Sequence, residues 1–198
     1  SGPASGVVGA AAAAAEAGCS PILTFDMGGT STDVSRFEHA CELVFEHRVG
    51  GAHLAATAVA VESIAAGGGS VCWLDEKYTG GLAVGPASAG AHPGPACYGA
   101  GGPLTITDCN LLLGRLDAEG FSIPIVRDAA EARADELLAK VREARGEPTL
   151  ERSTLLRELL DIADETMAGA IRRISVQRGY DPSEHTLVAF GGAAGQHA

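Results

Sequence analysis

Residues 22–37 read ILTFDMGGTSTDVSRF, and this stretch decides the fold. A short apolar run leads into Asp26, and two glycines and a cluster of hydroxyl side chains follow it. A second acid, Asp33, then opens another run of strand-forming residues. Two such runs around turn-forming residues predict a pair of strands, at 22–25 and 33–37, joined by a tight connection.

The connection between these strands has a composition that suits a polyphosphate. Gly28 and Gly29 lack Cβ atoms, so a phosphate can approach their backbone N–H groups closely. Thr30, Ser31 and Thr32 add hydroxyl groups that can donate to phosphate oxygens. The pattern therefore predicts a phosphate-binding turn.

Asp26 extends this interpretation to a metal ion. Mg²⁺ in proteins is bound by one or two carboxylates and keeps several waters, so Asp26 is a candidate to hold it through water. The alternative is a purely structural hairpin, in which the glycines supply positive φ angles and the hydroxyls cap the turn locally. The turn alone leaves both interpretations open.

A second glycine turn lies near the end of the chain, in LVAFGGAAG, residues 187–195. It again follows a predicted strand, at 186–190. Two strand-to-glycine turns separated by long helices suggest two edges of one nucleotide cleft. Neither turn has the GxxxxGK[ST] pattern of a P-loop or the GxGxxG pattern of a dinucleotide site, which disfavours NAD.

The remaining chain is predicted to alternate between helices and strands. Helices are expected at 1–18, 107–116, 128–145 and 154–179, a strand at 42–49, and either a strand or a short helix at 59–64. Thr107 or Asp108 is the expected cap of the second helix. The glycine- and proline-rich stretch 67–120 is interpreted as either a plain surface loop or, because of its length, a functional one.

Some polar residues have both a functional and a structural interpretation. Asp108 and Asn110 can contact a ligand, although a helix cap also explains Asp108. His197 can face the cleft or a partner, or it can be a solvated residue at a helix start. The cysteines and histidine of the 67–120 stretch have the side-chain types of a zinc site but match no recognised spacing, so buried thiols and a surface histidine are the preferred interpretation. These four residues are Cys72, His92, Cys97 and Cys109.

Composition excludes several classes of protein. A net charge of −11 over 198 residues disfavours nucleic-acid binding, which needs a basic surface. No run of about 18 apolar residues is present, so no membrane span is expected. Five cysteines without a CxxC pair indicate reduced thiols and a cytoplasmic protein.

The order of helix, acid-and-glycine hairpin, further helices and late glycine turn resembles the second lobe of the actin, sugar-kinase and heat-shock ATPase superfamily. The resemblance implies an α/β, actin-like (ribonuclease H-like) lobe with a mixed sheet flanked by helices, and ATP and Mg²⁺ as cofactors. Asp26 is then the catalytic acid linked to Mg²⁺. The implied nucleotide contacts are Gly28, Gly29 and Thr30 for the phosphates, Gly191, Gly192 and Ala193 for adenosine, and Gly67 and Gly68 along the cleft.

Longer motifs narrow the resemblance to the hydantoinase/5-oxoprolinase family, with His92 placing the chain closer to 5-oxoprolinases. They are SGPASGVVGA, FDMGGTSTDV, AAGGGS, VGPASAGAHPGPACYGAGGPLTITDCNLLLGRL and RGYDPSEHTLVAFGGAAGQHA. The family implies ATP-dependent phosphorylation and opening of a lactam or cyclic imide, such as 5-oxoproline to glutamate, or hydantoin. The alternatives are a subunit of an acetone- or acetophenone-type carboxylase and a non-catalytic actin-like interaction domain.

The resemblance also sets expectations for organisation. Residues 1–198 are expected to be the C-terminal lobe of the ATPase domain, incomplete at both ends, with an insertion at about 67–120. The expected partners are an N-terminal ATPase lobe, a second hydrolase subunit or domain, and a small cyclic amide, in an oligomer. The isolated fragment is expected to be inactive. Ala194 stands where the family pattern GGAGG has glycine, and one methyl group is expected to fit.

Overall fold

The computed structural model describes residues 2–49, 52–77 and 81–198. The α-helices in these ranges are α1 (Gly2–Glu16), α2 (Ile106–Leu112), α3 (Arg127–Arg145) and α4 (Arg152–Ile174). The strands are β1 (Ile22–Met27), β2 (Thr32–Glu38), β3 (Ala40–Cys41), β4 (Leu43–Val49), β5 (Ala52–Val59), β6 (Val61–Ile64), β7 (Ser70–Asp75), β8 (Gly81–Ser88) and β9 (Thr186–Phe190).

A five-stranded sheet forms the centre of the molecule. Its main order is β3-β2-β1-β9, and β6 pairs with the first half of β2. β1 runs parallel to β9 and antiparallel to β2, and β6 is antiparallel to β2. The prediction of a mixed sheet with flanking helices is confirmed. β4–β5 and β7–β8 form separate two-stranded ribbons.

The two faces of β1 pack against different helices, as its strict alternation requires. Leu23, Phe25 and Met27 belong to the main core, to which α4 and α3 contribute most of the large apolar side chains. Ile22 lies on the opposite face and packs with the alanines of α1. Asp26 shares the face of Ile22, so it points towards α1.

Several local predictions needed correction. Residues 59–64 contain the end of β5 and the whole of β6, which confirms the strand alternative. The stretch 67–120 is not a continuous loop, because it contains β7 and β8 in addition to the predicted helix. α2 starts earlier than predicted, with Thr105 as its N-cap. α4 ends at Ile174, and a separate 3₁₀ turn carries the chain to Gly179.

None of the helices in the described ranges is both long and apolar enough to cross a membrane.

Candidate functional site

Three glycine-rich segments meet at one edge of the central sheet. β1 and β9 are parallel, and β6 has the same direction as β1 because both are antiparallel to β2. The segments that follow the carboxyl ends of these three strands therefore gather at the same edge. We call them the hairpin turn (28–31), the late glycine turn (191–196) and the glycine support (67–69).

The hairpin turn presents free backbone donors. Gly28 donates its N–H to the carbonyl oxygen of Ser31 at 3.0 Å, which closes the turn. Gly29, Thr30 and Ser31 are exposed. Within the described part of the chain, the N–H groups of Gly29 and Thr30 form no hydrogen bond. The turn can therefore offer two backbone N–H groups and two hydroxyl groups to an anion.

The glycine support lies beneath the hairpin turn and is buried. The Gly68 N–H donates to the Gly28 carbonyl at 3.0 Å, and the Gly69 N–H donates to the Gly29 carbonyl at 2.7 Å. A Cβ atom on Gly67 would lie 2.6 Å from the Thr30 nitrogen. The three glycines thus allow two backbone segments to touch, and the N–H groups of Gly68 and Gly69 are used within the protein.

The late glycine turn touches the hairpin directly. Gly191 has φ of +94°, and a Cβ atom there would lie 2.6 Å from Oδ1 of Asp26 and 2.5 Å from the Met27 carbonyl oxygen. The Ala193 N–H donates to the same Met27 carbonyl at 3.0 Å. Gly191 and Gly192 are exposed, whereas Ala193 is buried. Ala194 is also buried, and its methyl group fits within the core.

Asp26 stands where these segments meet. It pairs in register with Asp33 on β2, and Asp33 in turn pairs with Ser63 on β6 and accepts a hydrogen bond from its hydroxyl. Burial, and secondarily the negative charge of Asp33, raise the pKa of Asp26. Asp26 is only partly buried. A partly exposed carboxylate beside a second one is a site that gains from a bound cation.

One predicted phosphate contact is corrected by burial. The Thr32 side chain is 0 % exposed, and its hydroxyl donates to the Ala66 carbonyl oxygen at 2.6 Å. It lies on the α4 face of the sheet, because it begins β2 one residue before Asp33. Thr32 therefore holds the segment that leads into the glycine support and does not face the open side of the turn.

Asp108 has a structural role, which was one of the two interpretations given for it from the sequence. Its buried carboxylate accepts hydrogen bonds from the backbone N–H groups of Ala96, Cys97 and Thr105 and from the Thr105 hydroxyl, at 2.8–3.1 Å. It ties the 95–105 loop to the first turn of α2. A ligand cannot reach it, since its exposure is 0 %.

The four candidate zinc ligands do not form a single cluster. Cys72 and Cys109 are buried with their sulfur atoms 3.9 Å apart, Cys97 lies beside Asp108, and His92 is exposed. No group of three or more potential metal ligands is found in residues 2–49, 52–77 and 81–198. Burial is the main cause that raises the pKa of the Cys72 and Cys97 thiols, as expected for structural cysteines.

Comparison with known sequences identifies the family of this site. The hydantoinase/oxoprolinase family profile matches residues 1–198. The chain belongs to the hydantoinase/oxoprolinase family. A 5-oxoprolinase of Pestalotiopsis fici is 44% identical over 207 residues, covering 100% of this chain and 16% of that protein. This hydantoinase/oxoprolinase chain thus spans about a sixth of the length of that relative.

Two solved structures share the fold of this hydantoinase/oxoprolinase chain. A nucleotide-free acetone carboxylase, described in terms of ATP-dependent acetone carboxylation, superposes with a TM-score of 0.84 at 27% identity. The match covers 100% of this chain and 28% of the acetone carboxylase chain. The ATP-dependent caprolactamase of Pseudomonas jessenii superposes with a TM-score of 0.79 at 37% identity. That match covers 93% of this chain and 26% of the caprolactamase chain.

Sequence reasoning did not predict that His197 would form a buried polar network. Its ring contacts Asp164 on α4 and Asn110 on α2, and its side chain is 0 % exposed. These residues are far apart in the sequence, and no local pattern joins them. The one available signal was Asn110, a polar residue among apolar residues of α2. A ligand contact explained this residue equally well.

Proposed function

We propose that this chain is the C-terminal, actin-like nucleotide-binding lobe of an ATP-dependent amidohydrolase that phosphorylates and opens a lactam or cyclic imide. The observation that carries the proposal is the meeting of two exposed glycine turns at Asp26. Family membership supports the amidohydrolase class. The relatives are several times longer than this chain, so the proposal concerns its part in a larger enzyme, with an N-terminal lobe and a second hydrolase subunit or domain.

The hairpin turn is proposed to hold the β- and γ-phosphates. The unpaired N–H groups of Gly29 and Thr30, together with the hydroxyls of Thr30 and Ser31, form a set of donors on a backbone that the glycine support keeps fixed. Donors that are already oriented stabilise charge on a transferring phosphoryl group without reorganising. Gly67 and Gly68 act in this proposal from beneath the turn, and direct nucleotide contact by them stays a prediction.

Asp26 is proposed to hold Mg²⁺ through water. The residues present at this edge fit the ion, because Mg²⁺ needs one or two carboxylates and takes its other ligands from water and phosphate. When bound, the ion would neutralise charge on the β- and γ-phosphate oxygens. Asp33 adds negative charge next to Asp26 and, through Ser63, holds β2 to β6. The carboxylate of Asp26 is kept in place by the late glycine turn that packs against it.

The late glycine turn is proposed to contact adenosine. Gly191 and Gly192 expose bare backbone on which a flat base or ribose can lie, and the Ala193 N–H is used by Met27, which fixes the turn. The same turn touches Asp26. Adenosine and the phosphates would therefore be held by two segments in direct contact.

The proposed reaction follows from the stability of amides. The lactam oxygen attacks the γ-phosphorus of ATP, a new P–O bond forms, the bond to the bridging oxygen breaks, and ADP leaves. Water then adds to the activated carbon and the C–N bond breaks, which leaves an acyl phosphate and a free amine. A second water hydrolyses the acyl phosphate and releases phosphate and the open amino acid. Phosphoryl transfer of this kind depends on positioning and charge neutralisation, and the residues at this edge can supply both.

An acetone-type carboxylase subunit is the second candidate. The acetone carboxylase structure superposes with the higher TM-score of the two, whereas sequence identity is higher for the lactam hydrolases. Identity reflects side-chain chemistry more directly than the fold does, and it favours the cyclic amide.

The test is substrate-dependent ADP release by the longest natural polypeptide that contains this chain, with any subunit that co-purifies. 5-Oxoproline, hydantoin, caprolactam and acetophenone are compared at saturating Mg·ATP. Stimulation by a cyclic amide supports the proposal, and stimulation by acetophenone alone supports the carboxylase. ATP binding without stimulation by any of the four would reject both substrate classes, and absence of ATP binding would favour an interaction domain.

A further inference from the structure

His197 joins the late glycine turn to two helices. Its Nδ1 lies 2.6 Å from Oδ1 of Asp164 on α4, and its Nε2 lies 3.1 Å from Nδ2 of Asn110 on α2. A carboxylate can only accept a hydrogen bond, and an amide nitrogen can only donate one. The contacts therefore place the ring proton on Nδ1, with Nε2 as an acceptor.

Asn110 directs both of its amide hydrogens at the end of the late glycine turn. Nδ2 donates to Oε1 of Gln196 at 3.0 Å and to the ring of His197. The residue is fully buried, and its Oδ1 has no partner among the described residues. The amide is thus oriented by the contacts of its nitrogen with residues 196 and 197.

The same helix also reaches the hairpin turn. Thr107, in the first turn of α2, donates its N–H and its hydroxyl to the Gly68 carbonyl oxygen at 2.8 and 2.9 Å. Gly68 in turn donates its N–H to Gly28. A helix of seven residues is therefore hydrogen-bonded towards both glycine turns, through Asn110 at one point and Thr107 at another.

We propose that His197 is a positioning residue that fixes the late glycine turn to α2 and α4 and so sets its place relative to the hairpin turn. It does not contact the nucleotide. Its effect on ATP affinity rests on the proposed function, whereas its effect on the order of the turn does not. Removing the ring should loosen residues 191–196 and weaken ATP binding, while the phosphoryl-transfer step at saturating ATP stays unchanged.

The experiment compares His197→Ala and His197→Gln in the full-length protein. Glutamine is the conservative variant, because its amide can donate towards Asp164 and accept from Asn110. Hydrogen exchange is followed in peptides that cover 188–198, Mg·ATP binding is measured by calorimetry, and kcat is measured at saturating ATP. We expect alanine to raise exchange in the turn and the Kd for Mg·ATP each about tenfold, with kcat retained, and glutamine to restore part of both.

His185→Ala is the matched control, since His185 also flanks β9 and is hydrogen-bonded, to Arg36 and to the Asp181 carbonyl oxygen. It should leave the late glycine turn and the Kd for Mg·ATP unchanged. If His197→Ala does not fold, Asp164→Ala replaces it, because that side chain is 42% exposed and its loss is better tolerated. We expect Asp164→Ala to raise hydrogen exchange in the turn and the Kd for Mg·ATP, each by less than tenfold.

Unchanged exchange in residues 191–196, an unchanged Kd for Mg·ATP, or equal losses in the His185 control would overturn the positioning role. Absence of ATP binding in the unsubstituted protein is a different result, which counts against the proposed function. The exchange rates would then decide by themselves whether His197 fixes the turn.

Discussion

The backbone of Gly191 lies so close to Asp26 that a single added carbon atom would stand 2.6 Å from the Oδ1 atom of that carboxylate. The contact joins the late glycine turn to the acid at the end of β1. Gly191 also has φ of +94°, a conformation that L side chains rarely adopt. Geometry and space both require glycine at this position.

The first prediction concerns this contact. Gly191→Ala should destabilise the protein by about 1–3 kcal/mol and displace the Asp26 side chain, because the added methyl group would clash with the Asp26 carboxylate and the Met27 carbonyl oxygen. Gly192→Ala is the matched control, since nothing lies within 4 Å of its Cβ position. Thermal melting and ADP release measure the two effects. Equal loss of thermal stability in both variants would contradict the packing described here. Gly192→Ala is the control for stability alone, because Gly192 is itself proposed to contact adenosine.

The second prediction concerns the glycine support. Gly67→Ala should destabilise the protein by about 2 kcal/mol or more, since its Cβ would lie 2.6–2.8 Å from three backbone atoms of the hairpin turn. Gly9→Ala, on the exposed side of α1, has no atom within 4 Å and should stabilise by ~0.5–1 kcal/mol. Denaturant unfolding gives both values. A neutral Gly67→Ala would show that the support does not pack against the turn.

The third prediction concerns Asp26. Asp26→Asn keeps the shape of the side chain and removes its charge, so the fold should be retained while substrate-dependent ADP release falls about a hundredfold or more. Asp33→Asn keeps an acceptor for Ser63 and should have a much smaller effect. Steady-state kinetics of both variants in the full-length protein provide the comparison. Retained turnover in Asp26→Asn would remove this residue from the mechanism.

The fourth prediction concerns Asp108. Its fully buried carboxylate accepts four hydrogen bonds, so Asp108→Ala should cost about 3–5 kcal/mol by leaving buried donors unpaired. Asp108→Asn retains one acceptor oxygen and should cost less. Equilibrium unfolding distinguishes them. A loss below 1 kcal/mol for the alanine variant would mean that the loop at 95–105 is held by other contacts.

The fifth prediction concerns the cysteines. Cys97 is buried, and burial together with the charge of Asp108 holds its pKa well above the usual range, so little thiolate forms at pH 8. Half-buried Cys19 and Cys41 should react with a thiol reagent in the native protein. Cys97, with Cys72 and Cys109, should react only after unfolding, and raising the pH to 9 should not release it. Mass spectrometry of labelled peptides identifies the reactive sites, and rapid labelling of Cys97 in the native state would contradict its burial.

Local pattern predicted the elements that carry their own signal. Apolar runs around FDMGGTSTDV gave β1 and β2 within a residue or two, because strand alternation and glycine turns are local properties. The long periodic helices α3 and α4 were predicted for the same reason, and the motifs between 84 and 116 were sufficient to place the family. The nucleotide contacts assigned from those motifs stay predictions.

Tertiary structure decided which residues face the open edge and which lie behind it. Thr32 belongs to a motif that suggests ligand contact, yet strand alternation turns its side chain to the core. Gly67 lies beneath the hairpin turn and packs against its backbone. The pairing of His197 with Asp164 and Asn110 depends on three segments that meet only when the chain is folded. Sequence fixes the chemistry and backbone freedom of each residue, whereas burial and partners arise from long-range packing, which no local pattern encodes.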